Sequence, residues 1–122
     1  MTGDFNEIDI EGGWETPEGY PPTVGAKILS GGLDEANRRG RCTLLMRYLP
    51  GTVDQRVLSH DFVEEVWVLD GEMDWLDEDG GIVQHIPKNS YVCRWPHVPH
   101  GPFRSQTGCL ILVTFYFADD DK

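Results

Sequence analysis

His60-Asp61-Phe62-Val63-Glu64-Glu65-Val66-Trp67-Val68-Leu69-Asp70-Gly71 and, further along, Trp95-Pro96-His97-Val98-Pro99-His100-Gly101-Pro102 are the two stretches on which the reading of this chain turns. In an extended strand side chains alternate, so residues 60, 62, 64, 66 and 68 share one face. His60 and Glu64 then point inward together, while Glu65 and Trp67 point the other way. The second stretch brings a distant histidine, His100, after a proline-bounded turn. Two imidazoles and a carboxylate converging inside a small β-barrel make a centre for a divalent metal that can hold a small molecule.

Working outward, the chain has 122 residues and no Pro/Gly-rich linker between two apolar regions, which predicts one domain with a real hydrophobic core. Its net charge of −11 would repel a phosphate polymer or an anionic bilayer, so neither nucleic acid nor membrane is expected as a partner. No run approaches the roughly 18 apolar residues of a membrane span, and the acidic, Gly-rich start does not resemble a secretory signal. A cytoplasmic location is expected. Cys42, Cys93 and Cys109 are odd in number and widely spaced, which predicts buried, reduced thiols and no disulfide framework.

Residues 1–22 mix Gly, Pro and acids into an arm that leaves Trp14 and Tyr20 free to dock on a partner surface. Residues 23–118 form the domain itself, and 119–122 an acidic, solvated tail. Within the domain, short runs rich in β-branched and aromatic residues predict strands at 25–29, 42–49, 53–58, 62–69, 72–76, 82–85, 90–94 and 109–117. Turns are expected at Ser30-Gly31-Gly32, Pro50-Gly51, Asp70-Gly71, Asp77 to Gly81 and Pro87-Lys88-Asn89, and a short helix at Leu33 to Arg38. Eight short strands suit a sandwich or a jelly roll. The stretch from Cys109 to Phe117 is apolar on both faces and needs a cover on each, one of which a second layer or a second subunit would supply; a homodimer is expected.

Gly51, His60, Glu64, Gly71, Pro96 and His100 resemble the two motifs of the cupin superfamily, the first of which is written G-x5-H-x-H-x3/4-E-x6-G. The resemblance covers residues 42–117. HDFVEEVWVLDGEM and RWPHVPHGPF are most similar to short single-domain cupins related to the ChrR-type anti-sigma cupin domain and the acetylacetone-cleaving dioxygenase. The resemblance implies an all-β, cupin-type jelly-roll barrel with an extended N-terminal arm, and a metal held by His60, Glu64 and His100. It departs from the pattern at Leu58, which stands where the first motif histidine belongs, with one extra residue after Gly51. The remaining two-His-one-carboxylate face has three open positions and suits iron(II) first, with manganese, zinc or nickel also accommodated. The activity implied is that of a metal-dependent enzyme on a small organic molecule: a dioxygenase cleaving a carbon–carbon bond, with lyase or isomerase chemistry close behind. The alternatives are a non-catalytic cupin that binds and reports a metal or metabolite, and a metal-free binding module, for which Leu58 is the argument.

Other residues take lesser roles in this reading. His97, where the family has Gly, is placed at the pocket mouth, and with Tyr91 it is the candidate acid or base. Arg94, Arg47 and Phe103 are candidate substrate contacts, an arginine in the pocket being a clamp for carboxylates; surface ion pairing is the competing role for Arg47, Arg94 and Arg104. His85 is expected on the surface, and Trp75 and Phe115 in the core.

Overall fold

The punctuated apolar runs become strands in the computed structural model, which describes residues 3–118. In chain order these are β1 (Val24–Asp34), β2 (Arg39–Tyr48), β3 (Thr52–Asp54), β4 (Val63–Gly71), β5 (Met73–Leu76), β6 (Ile82–Ile86), β7 (Tyr91–Arg94), β8 (Phe103–Ser105) and β9 (Cys109–Tyr116). They pair antiparallel throughout, in a five-stranded sheet of order β1-β2-β9-β4-β7 and a four-stranded sheet of order β3-β8-β5-β6. The two sheets face each other as a jelly roll, which settles the choice against the alternative sandwich. The acidic tail lies outside the described residues. No helix among the described residues is long and apolar enough to cross a membrane.

Alternation sorts each strand into an inner and an outer face. Leu44, Met46 and Tyr48 of β2, Val66 and Val68 of β4, and Cys109, Ile111 and Val113 of β9 point into one shared core. Burying each of these valines contributes about 1.5–3 kcal/mol relative to exposure. On the outer face of β9, Leu110 and Leu112 are half-buried, and Trp67 beside Leu112 is exposed. Gly71, the last glycine of the first motif, has φ +74, and a Cβ there would lie 2.1 Å from the Gly108 carbonyl oxygen, so the β4–β9 corner requires glycine.

Several expectations are corrected. No helix forms at Leu33 to Arg38: β1 runs on to Asp34, whose carboxylate accepts hydrogen bonds from the Asn37 backbone at 3.2 Å and side chain at 2.8 Å, closing a tight turn into β2. Gly31 sits inside β1 beyond a bulge rather than in a turn, with φ +79. β3 stops at Asp54 because that carboxylate accepts the Arg56 N–H at 3.2 Å and bends the chain. β8 is an additional, three-residue strand. Trp14 and Tyr20 dock on the chain's own barrel: Glu15 bridges to Ala26, Trp14 lies over Gly25 between Lys27 and Arg47, and Tyr20 packs beneath Arg56. All three thiols are free, but Cys93 is exposed, because β7 presents it on the outer face opposite Glu65.

The four-stranded sheet is tied together by one buried carboxylate. Asp74 on β5 accepts from His85 Nδ1 of β6 at 2.8 Å and from Arg104 Nε of β8 at 3.0 Å. The His85 hydrogen bond, joined by Arg104, holds the Asp74 carboxyl below its ordinary range against the opposing effect of burial, and Asp74 in turn raises His85. A raised histidine contributes fully below its unfolded value and loses the contribution as pH climbs through the folded one, whereas a lowered carboxyl contributes above its unfolded value and loses it as pH falls. The tie is therefore strongest between about pH 4 and pH 6.5, the two unfolded values. His85→Gln should flatten the decline of melting temperature above that window and also weaken the acid limb, of which only the Arg104 share remains. Identical pH profiles for the variant and wild type would contradict this.

Candidate metal centre and adjoining cavity

One donor atom from each of His60, Glu64 and His100 lies within 4.8 Å of the others. The three arrive from separate segments. Glu64 is the second residue of β4 and points inward as alternation requires. His60 comes from the bend before β4, not from the strand itself, and its ring stacks on Phe62 at 4.6 Å between centroids and 7° between planes. The Phe115 ring stands edge-on 6.1 Å away. His100 belongs to the 95–102 loop, which is laced to the 55–61 loop: Leu58 and His100 exchange backbone hydrogen bonds of 2.8 Å in both directions, and the His97 N–H donates to the His60 carbonyl at 2.7 Å. Gly101, with φ +95, lets this loop press against the Arg56 carbonyl, which a Cβ would meet at 2.4 Å.

The donor set fits a divalent ion. Ligands around one ion at bonds of about 2.1 Å stand roughly 3.0–3.5 Å apart, and Glu64 Oε1 is already 3.7 Å from His100 Nε2. The His100 Nδ1 faces the Val98 carbonyl at 3.4 Å, which orients Nε2 toward Glu64. Burial pushes His100 below its ordinary value, opposed by the Glu64 charge, so the imidazole is held in the neutral form that coordinates metals. Two of the three donor residues, Glu64 and His100, are buried, so an ion would be shielded from bulk water on one side.

Charged groups crowd this end of the barrel. Arg94 Nη1 donates to Glu64 Oε1 at 2.5 Å. Arg56 forks onto Asp54 through Nε at 2.9 Å and Nη2 at 2.8 Å. Burial alone would raise Asp54, but the hydrogen bonds and charge of Arg56 outweigh it and hold the carboxyl low. Tyr20 reaches in from the arm beneath Arg56, and burial, with the nearby Glu64 charge, pushes its hydroxyl upward. Tyr20, Asp54, Arg56 and Leu58 line a small inner pocket of ≈ 40 Å³ together with Glu64, Arg94 and His100. Reading the sequence missed Tyr20, Asp54 and Arg56; the available signal was an acid and a base two residues apart just past the Pro50-Gly51 turn. Leu58, where a motif histidine was absent, faces this same pocket.

A larger cavity of ≈ 300 Å³ opens between the free edges of β6 and β7, walled by Val68, Ile86, Val92, Trp95, Val98 and Phe103, with Arg94 and His100 at its inner end. Of the expected substrate contacts, Arg94 and Phe103 reach it, with the guanidinium 5.5 Å from the Phe103 ring centre. Arg47 does not: it sits on the outer face of β2, its guanidinium 4.7 Å from the Trp14 ring, because its neighbour Met46 takes the inward position. Tyr91 is paired with outward-facing Trp67, and its hydroxyl donates to Glu65 on the outside of the sheet, an interaction that raises it to about 12. Tyr91 also borders the cavity, with its hydroxyl engaged by Glu65. His97 is exposed, with its side chain outside the cavity lining; its backbone, at φ +70, supplies the turn. Arg104 is spent on Asp74.

No protein-family model matches the chain, and no curated protein matches it in sequence. Solved structures do. KdgF from Halomonas sp. superposes with a TM-score of 0.67 at 19% identity, covering 98% of each chain. A RmlC-like cupin from Shewanella frigidimarina gives 0.63 at 20% identity, over 97% of this chain and 95% of that one. An acetylacetone dioxygenase from Acinetobacter johnsonii gives 0.69 at 16% identity, over 99% of this chain and 81% of that one. This chain is a small cupin-fold protein: its barrel is the jelly roll that these proteins share, and a potential His/Glu/His metal triad lies inside it.

Proposed function

We propose that this chain is a metal-dependent enzyme that cleaves a carbon–carbon bond of a small organic molecule with dioxygen, using iron(II) held by His60, Glu64 and His100. The observation that carries the reading is the convergence of those three donors at the inner end of a cavity large enough for a small molecule. A two-His-one-carboxylate face leaves positions open, which is the arrangement that suits iron(II) oxygenases, and a metal there would supply Lewis-acid polarisation and a meeting point for substrate and dioxygen. The likeness to an acetylacetone dioxygenase adds to this reading at the level of fold. The protein's own residues would bind and orient: Arg94 and Phe103 line the substrate space, and its walls offer apolar contact to the substrate body. The three free thiols suit a reducing compartment, in keeping with a cytoplasmic enzyme.

The test is oxygen uptake by protein reconstituted anaerobically with iron(II) and offered a panel of β-dicarbonyl compounds. Consumption that requires both iron and substrate, and that disappears in His100→Ala, is the expected result. Metal-loaded protein that binds panel members without consuming oxygen would remove the dioxygenase assignment and favour a binding or reporting role.

A further inference from the structure

We infer that Arg94 is the anchor for an anionic head group, held in reserve by Glu64 and released when Glu64 turns to a metal ion; the inference rests on the metal reading above. One carboxylate oxygen is claimed from two sides. Glu64 Oε1 accepts from Arg94 Nη1 at 2.5 Å and lies 3.7 Å from His100 Nε2, the neighbouring donor of the candidate centre. Both partners of the ion pair are buried, with side-chain exposures of 16% and 10%, so neither charge is well solvated if the other leaves.

Charge counting gives the consequence. Glu64 and Arg94 cancel, and the imidazoles are neutral ligands. The other acids of this region are committed: Asp54 to Arg56, and Asp74 to Arg104 and His85. A divalent ion therefore leaves an excess of two positive charges at the inner end of the cavity. Among the described residues no acid other than Glu64 and Asp54 lines either space, and a bound anion balances that excess. Arg94 stands where such an anion would arrive, since it lines both the inner pocket and the ≈ 300 Å³ cavity, and its planar fork matches a carboxylate or an enolate. The body of the ligand follows from the walls. Ile86, Val92, Trp95 and Val98 offer apolar surface and no further cation, which fits a small monoanion with an aryl or branched aliphatic body.

Calorimetric titration with phenylacetate, its neutral analogue phenylacetamide, and acetate tests this without turnover. Metal-free Glu64→Gln frees Arg94 with no ion present. It should bind phenylacetate about tenfold or more tighter than phenylacetamide, and about tenfold or more tighter than metal-free wild type does, the size expected for a charge-assisted pair. Acetate, lacking the body, should bind more weakly by a similar factor. The double variant Glu64→Gln/Arg94→Gln should lose the preference for the acid. Zinc-loaded wild type beside zinc-loaded Arg94→Gln gives the same reading with Glu64 intact, should Glu64→Gln fold poorly. An absence of acid preference in folded Glu64→Gln, or an equal preference in the two zinc-loaded proteins, overturns the anchor. Zinc content of wild type is read separately: zinc uptake without acid preference leaves the metal centre standing and removes the anchor, whereas acid preference in Glu64→Gln with no zinc uptake by wild type keeps the anchor and removes the metal centre.

Discussion

Protein carrying His60→Ala or His100→Ala should take up a divalent ion at least about a hundredfold more weakly than wild type, which should itself carry close to one ion per chain. Disturbing groups that merely orient a ligand already costs 10–100-fold in metal affinity. Removing one of only three donors therefore costs more, because the missing histidine at Leu58 leaves no fourth protein ligand to compensate. The fold should feel far less. His60 sits in a partly exposed bend, and the lacing of the two loops runs through backbone groups of Leu58, His60, His97 and His100, which alanine preserves. His100→Ala empties part of a packed site and should lower stability by about 1–3 kcal/mol, within the ordinary range for such changes. Elemental analysis beside thermal melts separates the two effects. Equal metal in all three folded proteins would show that the ion, if any, is held elsewhere.

Leu58→His should act in the opposite direction. Leu58 and His100 are bridge partners, so their side chains leave the ladder on the same side, and Leu58 lines the inner pocket with Glu64 and His100. An imidazole there becomes a fourth donor, restoring the H-x-H pattern from which this chain departs, and metal affinity should rise about tenfold or more, equivalent to about 1.4 kcal/mol. Without metal the same substitution buries an unpartnered polar ring and should destabilise the protein by about 1–3 kcal/mol. Metal-free protein of lower melting temperature, joined to tighter metal binding in competition with a chromophoric chelator, is the signature expected. Unchanged affinity would mean that the position does not reach the centre.

Much of this was legible in the chain. His60 and Glu64 were legible as an inward-facing pair four residues apart and His100 as a distant histidine after a proline-bounded turn, and the resemblance to the cupin motifs, with its Glu64 to Gly71 spacing, joined the three. The strands followed from Gly, Pro and Asp breaks between β-branched runs. What stayed hidden depended on pairing. Alternation places Tyr91 and Arg94 on opposite faces, but only the register Trp67↔Tyr91 and Glu64↔Arg94 says which face is inner. That register sends the Tyr91 hydroxyl to Glu65 outside and the Arg94 guanidinium to Glu64 inside. Arg47 was unreadable for the same reason. β8 is too short for any period to appear, and its place is set by the Asp74–Arg104 pair. The arm was legible as irregular, yet its docking is not a local property. Trp14 and Tyr20 are held by cations on distant strands and loops, with Trp14 between Lys27 and Arg47 and Tyr20 beneath Arg56.

His60, Glu64 and His100 are proposed to hold one ion between them. Diffraction from crystals grown with manganese(II), collected where manganese scatters anomalously, tests it most directly. A single strong anomalous peak is expected inside the barrel, within about 2.0–2.3 Å of a nitrogen from each histidine and an oxygen of Glu64. A peak bound to other residues, or none at that point in manganese-saturated crystals, would contradict it.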